Sequence, residues 1–115
     1  MVLAIDFGTS NTVLTRWNAA TQSAEVLPLD AIAQRYGDIA VVPSLLYVEN
    51  AQEARVLVGQ PVRDQGLDQS LDRCFKNFKR GIGTSIQGFM PDLDGRPLSF
   101  EQVGEWFLSQ VIDQL

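Results

Sequence analysis

Residues 2–12 read Val-Leu-Ala-Ile-Asp-Phe-Gly-Thr-Ser-Asn-Thr, an apolar run followed by a polar turn rich in hydroxyl groups. The apolar run at residues 2–5 predicts a buried strand, and Gly8 lets the backbone turn sharply after it. Successive backbone N–H groups in such a turn can converge on an anion, and the hydroxyls of Thr9, Ser10 and Thr12 add donors beside it. The stretch favours a phosphate-binding turn, although the same residue types also form ordinary β-hairpin turns.

Asp6 ends the predicted strand and directly precedes this turn. Its carboxylate would lie beside bound phosphates, where it suits a Mg²⁺ ion better than the anion itself. Asp6 is therefore a candidate residue on the metal side of a phosphate site.

The composition is that of one folded domain. A chain of 115 residues can form a real core, because a domain of this size buries roughly two thirds of its unfolded surface. Hydrophobic residues make up 45% and charged residues 20%, which is ordinary globular usage. The net charge of −5 argues against an extended nucleic-acid surface, which needs clustered Lys and Arg. Any phosphate binding must therefore be local.

The sequence contains no His and a single cysteine, Cys74. This composition excludes an internal disulfide, Cys-His and Ser-His catalysis and His-based metal sites, and Cys74 is interpreted as core packing. The apolar run near the N-terminus lacks a basic flank and ends at Asp6, so it does not read as a signal peptide, and no run reaches the length of a membrane span. We expect a cytoplasmic protein without a nucleic-acid or membrane partner.

The N-terminal third predicts mostly β structure. Strands at Val13–Trp17 and Glu25–Leu29 would join the first strand in a three-stranded antiparallel meander. Residues 30–38 predict one helical turn ending at Gly37.

The middle of the chain continues with short elements. Residues 39–48 predict an extended segment interrupted at Pro43-Ser44, because Pro is best tolerated at a strand edge or start. Residues 56–59 predict a short strand, and residues 61–65 predict the start of a helix.

Residues 70–80 predict a clearer helix, with Ser70 as the N-cap and Gly81 as the stop. Four apolar residues at helical spacing would form its buried stripe: Leu71, Cys74, Phe75 and Phe78. Lys79 would lie at the shoulder of this stripe, its stem packed and its ammonium able to reach a neighbouring cleft. From this pattern alone Lys79 reads as a solvated surface lysine.

Residues 89–98 predict a hairpin that turns at Asp94-Gly95, and Ser99 then opens a helix with Gln102 completing a capping box. The helix has one broad apolar face, formed by Phe100, Val103, Phe107, Leu108, Val111, Ile112 and Leu115. Because no stop signal precedes Leu115, we expect a fragment cut within or just after a helix. An uncovered apolar face of this size predicts self-association of the fragment, and unpaired edges of the N-terminal sheet offer a second route to it.

Four blocks of the sequence resemble, in order, the N-terminal part of the Hsp70 chaperone ATPase domain, a member of the actin, sugar kinase and Hsp70 superfamily. They are residues 4–12, residues 42–48 beginning Val-Pro-Ser, residues 57–61 reading Leu-Val-Gly-Gln-Pro, and residues 78–83 reading Phe-Lys-Arg-Gly-Ile-Gly. The resemblance implies a mixed α/β fold of the ribonuclease H-like, actin-like ATPase type. Its partial first lobe would comprise a first core subdomain with the N-terminal antiparallel sheet (residues 1–43), a smaller upper lobe (44–98) and the start of the helix that returns to the core (99–115).

The same resemblance implies roles for particular residues. The phosphate contacts would come from Gly8, Thr9, Ser10 and Asn11. Asp6 would act near Mg²⁺, through water, and Lys79 would reach the γ-phosphate and the attacking water. The implied cofactors are ATP or ADP with Mg²⁺, and the two residues with catalytic roles are Asp6 and Lys79.

By this resemblance the full-length protein is an ATPase and the fragment alone is inactive. The second phosphate loop, the adenosine pocket and the peptide-binding domain of the family lie further along the chain, and unfolded client peptides and co-chaperones would bind through those regions. The sequence departs from the family at Ser10, where Thr is common, at residues 30–41, which are longer than usual, and at residues 68–78. These departures indicate a divergent Hsp70-like protein.

Three alternatives share part of the pattern. A bacterial actin-like filament ATPase has a similar first phosphate motif and a Pro-Ser strand, but Lys79 within its block favours the Hsp70-like reading. A sugar kinase shares only the first motif. A stand-alone binding module without catalysis belongs to a different class, and the length of the natural reading frame separates it from the other three.

Overall fold

The computed structural model describes residues 2–70, 72–82 and 92–115. These residues form a mixed α/β structure in which every strand pairing is antiparallel. The mixed class and the antiparallel N-terminal sheet predicted from the sequence are confirmed.

Five strands form the N-terminal sheet: β1 (Leu3–Phe7), β2 (Asn11–Asn18), β3 (Ser23–Val26), β4 (Gln34–Tyr36) and β5 (Ile39–Pro43). The strand order is β1-β2-β5-β4, and β3 also pairs with β2. The predicted meander of the first three strands is therefore confirmed. Phe7 lies opposite Thr12 in the β1–β2 register, so the turn between the two strands is residues 8–11.

Strand β1 is not buried, in contrast to the prediction from its apolar run. Val2 is 66% and Ile5 42% exposed. Within the described residues β1 pairs only with β2, which leaves it at an edge of the sheet. An apolar run therefore predicted the strand correctly, but its burial depends on what packs against it.

The predicted helical turn at residues 30–38 is also wrong. A turn follows Leu29, whose carbonyl accepts the N–H groups of Ile32 and Ala33, and the chain then enters β4. Gly37, at φ +64°, lies in the two-residue connection between β4 and β5. A short hairpin of this kind needs a positive φ, which glycine supplies without strain.

A second sheet has β6 (Leu45–Asn50) at its centre, with β7 (Arg55–Val58) on one side and β8 (Cys74–Lys76) on the other. Helix α1 (Gln60–Asp64) and a 3₁₀ turn at Leu67–Gln69 connect β7 to β8. The extended segment broken at Pro43-Ser44, the short strand and the short helix are all confirmed.

The predicted helix at residues 70–80 does not form. Instead β8 pairs with β6, and a 3₁₀ turn follows at Phe78–Gly81. Asn77 between them has φ +54°, a left-handed conformation that a continuous α-helix excludes. Pairing with β6 outweighs the local helical spacing, because a strand gains its hydrogen bonds from a distant segment. Leu71, the first residue of the predicted stripe, lies outside the described residues.

The predicted C-terminal elements are confirmed where they are described. Strands β9 (Asp92–Leu93) and β10 (Arg96–Pro97) form the hairpin, and residues 89–91 of the predicted hairpin lie outside the described residues. Helix α2 (Phe100–Asp113) begins after Ser99, whose Oγ accepts the Gln102 N–H at 3.0 Å. The side chain of Gln102 accepts a hydrogen bond from Arg96 at 3.3 Å.

One hydrophobic core joins both sheets to α2. Val103, Phe107 and Val111 of α2 are fully buried, whereas Ile112 and Leu115 are about half exposed. The chain thus covers most of the helix face that was predicted to lack a partner, because the two sheets and the 3₁₀ turn at Phe78–Gly81 pack on it. Neither α1 nor α2 combines the length and hydropathy that a membrane-crossing helix needs.

Candidate functional site

The turn at residues 8–11 is closed by its own backbone. The Gly8 N–H donates a hydrogen bond to the Asn11 carbonyl at 2.9 Å. A Cβ atom on Gly8 would lie 2.4 Å from that carbonyl oxygen, closer than a side chain tolerates. Gly8 is therefore required for the shape of the turn, and its own N–H is used within the turn.

Ser44, between β5 and β6, holds this turn. Its N–H donates to the Ser10 carbonyl and its Oγ to the Gly8 carbonyl, both at 2.9 Å. The Oγ of buried Thr12 lies 3.0 Å from the Ser44 Oγ. Ser44 has one hydroxyl proton and donates it to the Gly8 carbonyl. Thr12 must therefore be the donor in its hydrogen bond with Ser44. The Thr12 hydroxyl was predicted to donate to an anion, but it is buried and bonds to Ser44 instead. The clamp itself was not predicted, although Pro43-Ser44 was noted in the resemblance.

Lys79 lies beside the strand that leads into the turn. Its Nζ is 5.7 Å from the centre of the Phe7 ring, a cation–π distance. Phe7 also packs against Phe78 and Phe107, with ring centres 6.0 and 5.9 Å away. Lys79 lies in a 3₁₀ turn and not in the predicted helix, and its role toward a phosphate stays a prediction.

Two glycines allow that 3₁₀ turn to lie against α2. A Cβ atom on Gly81 would lie 2.2 Å from Cδ2 of Phe100, and one on Gly104 would lie 2.9 Å from Cδ1 of Ile82. With no side chain at either position the two segments pack closely. The backbone that carries Lys79 is thereby fixed relative to the helix.

Asp6 and Lys79 do not lie together. Successive side chains of a strand point to opposite faces, so Asp6 points away from the face on which Phe7 contacts Lys79. Asp6 is exposed and pairs in register with Val13.

A shallow cavity of ≈150 Å³ opens next to the turn. It is lined by Thr9, Ser10, Ser44, Leu45, Arg63, Lys76 and Asn77. The structure therefore brings two of the four predicted phosphate-contacting residues to this cavity. It also adds two cations that the sequence analysis missed, because Arg63 and Lys76 meet only through the tertiary fold.

A larger cavity of ≈330 Å³ lies at the opposite end of β1 and has a mostly apolar lining. Its walls are Leu3, Arg16, Leu27, Pro28, Leu29, Gln114 and Leu115. Its residues include none of the predicted site residues.

Asp6 is the residue that was predicted to act near Mg²⁺. In the part of the chain that the structure describes, no three Cys, Asp or Glu side chains are grouped to hold a metal. Mg²⁺ commonly keeps several waters and binds through one or two carboxylates together with phosphate oxygens. One carboxylate can serve that mode of binding, so the role of Asp6 near Mg²⁺ stays a prediction.

The thiol of Cys74 has low reactivity. It is half buried in β8, and burial raises the pKa of its thiol above the ordinary value. The thiol is therefore protonated at neutral pH and a poor nucleophile. The predicted role of Cys74 in core packing is not confirmed, because the residue is only partly buried, lies on a strand and is not part of the hydrophobic core.

Comparisons of the sequence with protein-family models and with curated proteins give no match. The functional argument for this chain therefore depends on its own residues and their geometry.

Proposed function

We propose that this chain is the N-terminal part of the nucleotide-binding domain of an Hsp70-like ATPase with an actin-like fold. It would contribute the turn at residues 8–11 and Lys79 to ATP binding and hydrolysis. The observation that supports the proposal is that segments far apart in the sequence lie next to each other in the structure. Ser44 bonds to Gly8 across 36 residues of sequence, and Lys79 covers Phe7, the residue just before that turn. Three separate blocks of the resemblance thus meet at one place.

The chemistry of these residues suits phosphoryl transfer. In that reaction a protein contributes mainly positioning and stabilisation of the charge that develops on the transferred group. Lys79 is exposed and held over an aromatic ring, so its ammonium can extend toward a phosphate at the turn. The backbone and hydroxyls of Thr9 and Ser10 offer donors to the same phosphate chain. Mg²⁺, when bound, would neutralise phosphate charge, and Asp6 would hold it through water.

The remaining parts of the proposed enzyme lie outside residues 1–115. They include the second phosphate loop, the adenosine pocket and the region that would bind client peptides and co-chaperones. With one side of the phosphate site only, the 115-residue chain should bind Mg-ATP in the millimolar range and release no phosphate.

Two measurements test the proposal. The first follows backbone amide signals of the 115-residue chain by NMR while Mg-ATP is added. Shifts should concentrate at residues 8–11. Absence of shifts at those amides would overturn the phosphate-binding turn, and micromolar binding or sustained turnover would show a complete site that the resemblance does not allow.

The second measurement replaces Lys79 in the protein translated from the complete reading frame. Lys79→Ala should lower ATP turnover roughly 100-fold while leaving ATP affinity nearly unchanged, because the group acts mainly on the transition state. Arg80→Ala is the matched control, since it removes an exposed cation one residue away. Equal turnover in wild type and Lys79→Ala would return Lys79 to the role of a surface lysine.

A further inference from the structure

The cavity beside the turn is built from four separate segments, one of which is the segment of Ser44 and Leu45. Thr9 and Ser10 come from the turn, Arg63 from α1, and Lys76 from the end of β8. Ser44 hydrogen-bonds the turn and also lines the cavity, so the hydroxyl side of the cavity is held in a defined position.

Arg63 and Lys76 are available to a ligand. Across residues 2–70, 72–82 and 92–115, neither side chain forms an ion pair with a carboxylate. The carboxylate nearest to Arg63 in sequence, Asp64, accepts a hydrogen bond from the Gln60 amide at 3.0 Å.

Most other cations of the chain are engaged. Arg16 pairs with Glu25, Arg55 with Glu49 and Glu53, and Arg73 with Asp94, while Arg96 lies over Trp106. In a chain with a net charge of −5, two uncommitted cations that share one cavity are a specific local feature. The positive charges of Arg63 and Lys76 attract an anion, so the cavity favours an anionic ligand over a neutral one.

We propose that this cavity binds a single phosphate group, with Arg63 and Lys76 as cationic ligands and Thr9 and Ser10 as hydroxyl donors. The volume of ≈150 Å³ suits a phosphate group and is too small for a nucleoside, since drug-sized ligands occupy roughly 300–1,000 Å³. The group could belong to inorganic phosphate or to the end of a nucleotide. The inference rests on the proposed function only in sharing Thr9 and Ser10 with it, because Arg63 and Lys76 have no role in the Hsp70 resemblance.

The test is a titration of the 115-residue chain with inorganic phosphate, tripolyphosphate and Mg-ATP, followed by NMR in a phosphate-free, sulfate-free buffer. Arg63→Gln and Lys76→Gln remove the charges but keep polar side chains. Each should weaken phosphate binding about tenfold, since a hydrogen bond to a charged group contributes of that order, and the double variant should abolish it. Arg80→Gln, an exposed cation outside the cavity, should bind like wild type. Thermal unfolding of each variant should match wild type, because both residues are exposed.

The three ligands separate the sources of the phosphate. Equal affinity for inorganic phosphate and tripolyphosphate identifies a site for free phosphate. Tighter binding of tripolyphosphate and Mg-ATP identifies a site for the end of a nucleotide. Both outcomes support the proposal that the cavity binds a phosphate group. Wild-type affinity in both Gln variants, or no binding of any of the three ligands to the wild type, would overturn it.

This inference and the proposed function fail separately. If Mg-ATP shifts residues 8–11 equally in wild type and in both Gln variants, the cavity inference is wrong and the ATP site stands. If phosphate binding depends on Arg63 and Lys76 while Lys79→Ala leaves ATP turnover unchanged, the cavity is a phosphate site and the ATPase proposal is wrong.

Discussion

At the scale of single residues, Ser44 has the largest influence on the candidate site. It makes three hydrogen bonds into the segment at residues 8–12, from a position between β5 and β6. Ser44 and Thr12 are the two buried polar residues in the described part of the chain. A buried hydroxyl pair that is fully bonded specifies one geometry, because a shifted arrangement would leave its groups unpaired.

Ser44→Ala should therefore destabilise the protein by about 1–3 kcal/mol, since it leaves the Thr12 hydroxyl and the Gly8 carbonyl without partners. Urea unfolding measures this change. Ser109→Ala, on the exposed side of α2, is the control and should be nearly neutral. The double variant Thr12→Val, Ser44→Ala should cost less than the sum of the single changes, because each residue satisfies the other. The role of Ser44 in holding the turn would be contradicted by either of two results. One is that the losses of stability in the two single variants add up in the double variant, and the other is that Ser44→Ala costs no more stability than Ser109→Ala.

At the scale of elements, the β9–β10 hairpin is tied to the second sheet through Asp94. Its carboxylate accepts the Ala51 N–H at 2.9 Å and pairs with Arg73, and its carbonyl accepts a hydrogen bond from Gln52 at 2.8 Å. Arg96 of the hairpin also donates to the Ala51 carbonyl at 3.1 Å. These bonds position the segment that leads into α2, and thus the helix on which the Lys79 turn packs.

The Asp94 connection predicts a specific loss of stability in acid. Hydrogen bonding from Arg73, and secondarily from Ala51, lowers the pKa of Asp94 from 3.8 to about 2. A carboxyl whose folded pKa is depressed stabilises the folded state above its unfolded pKa, and that contribution is lost as the pH falls through the folded pKa. Unfolding free energy should therefore decline between about pH 4 and pH 2.

Asp94→Asn should flatten that decline, as measured by urea unfolding at several pH values. Gln52→Ala is the matched control, because it removes a bond to the Asp94 carbonyl and leaves the carboxylate in place. It should lower stability equally at every pH. A variant Asp94→Asn with the wild-type pH dependence would show that other groups carry the acid sensitivity.

At the scale of the whole molecule, exposed apolar side chains gather at one end of the N-terminal sheet. They comprise Val2, Leu3 and Ile5 along β1, with Ile112 and Leu115 at the end of α2. Leu3 and Leu115 also line the larger apolar cavity. Self-association was predicted from the broad face of α2, but Val103, Phe107 and Val111 are buried within the chain itself. The apolar surface that stays exposed includes the β1 edge and the last turn of α2.

We expect the 115-residue chain to associate through this edge, because an exposed strand with apolar side chains can pair with another chain. Ile5→Lys should give a monomer, since a lysine on an edge strand opposes such pairing. Ile39→Lys is the control, as Ile39 is similarly exposed (51%, against 42% for Ile5) but lies on β5. Light scattering at several concentrations decides the result. A wild-type monomer throughout, or equal dissociation by both substitutions, would refute association through β1.

Local pattern determined much of the fold. The alternation and turn residues of the first thirty residues predicted strands β1 to β3, and Gly8 marked the turn where a side chain would collide with Asn11. The N-cap at Ser99 predicted the start of α2. Such features were predictable because their hydrogen bonds and steric limits involve residues only a few positions apart.

The tertiary structure decided the rest. Residues 70–80 have helical spacing but form a strand and a 3₁₀ turn, because β6 supplies hydrogen bonds from a distant part of the chain. The exposure of β1, the clamp at Ser44 and the meeting of Arg63 with Lys76 also depend on which segments come to lie side by side. The spacing of neighbouring residues in the sequence does not predict those contacts. They form only when packing of the common core brings the two sheets and α2 together.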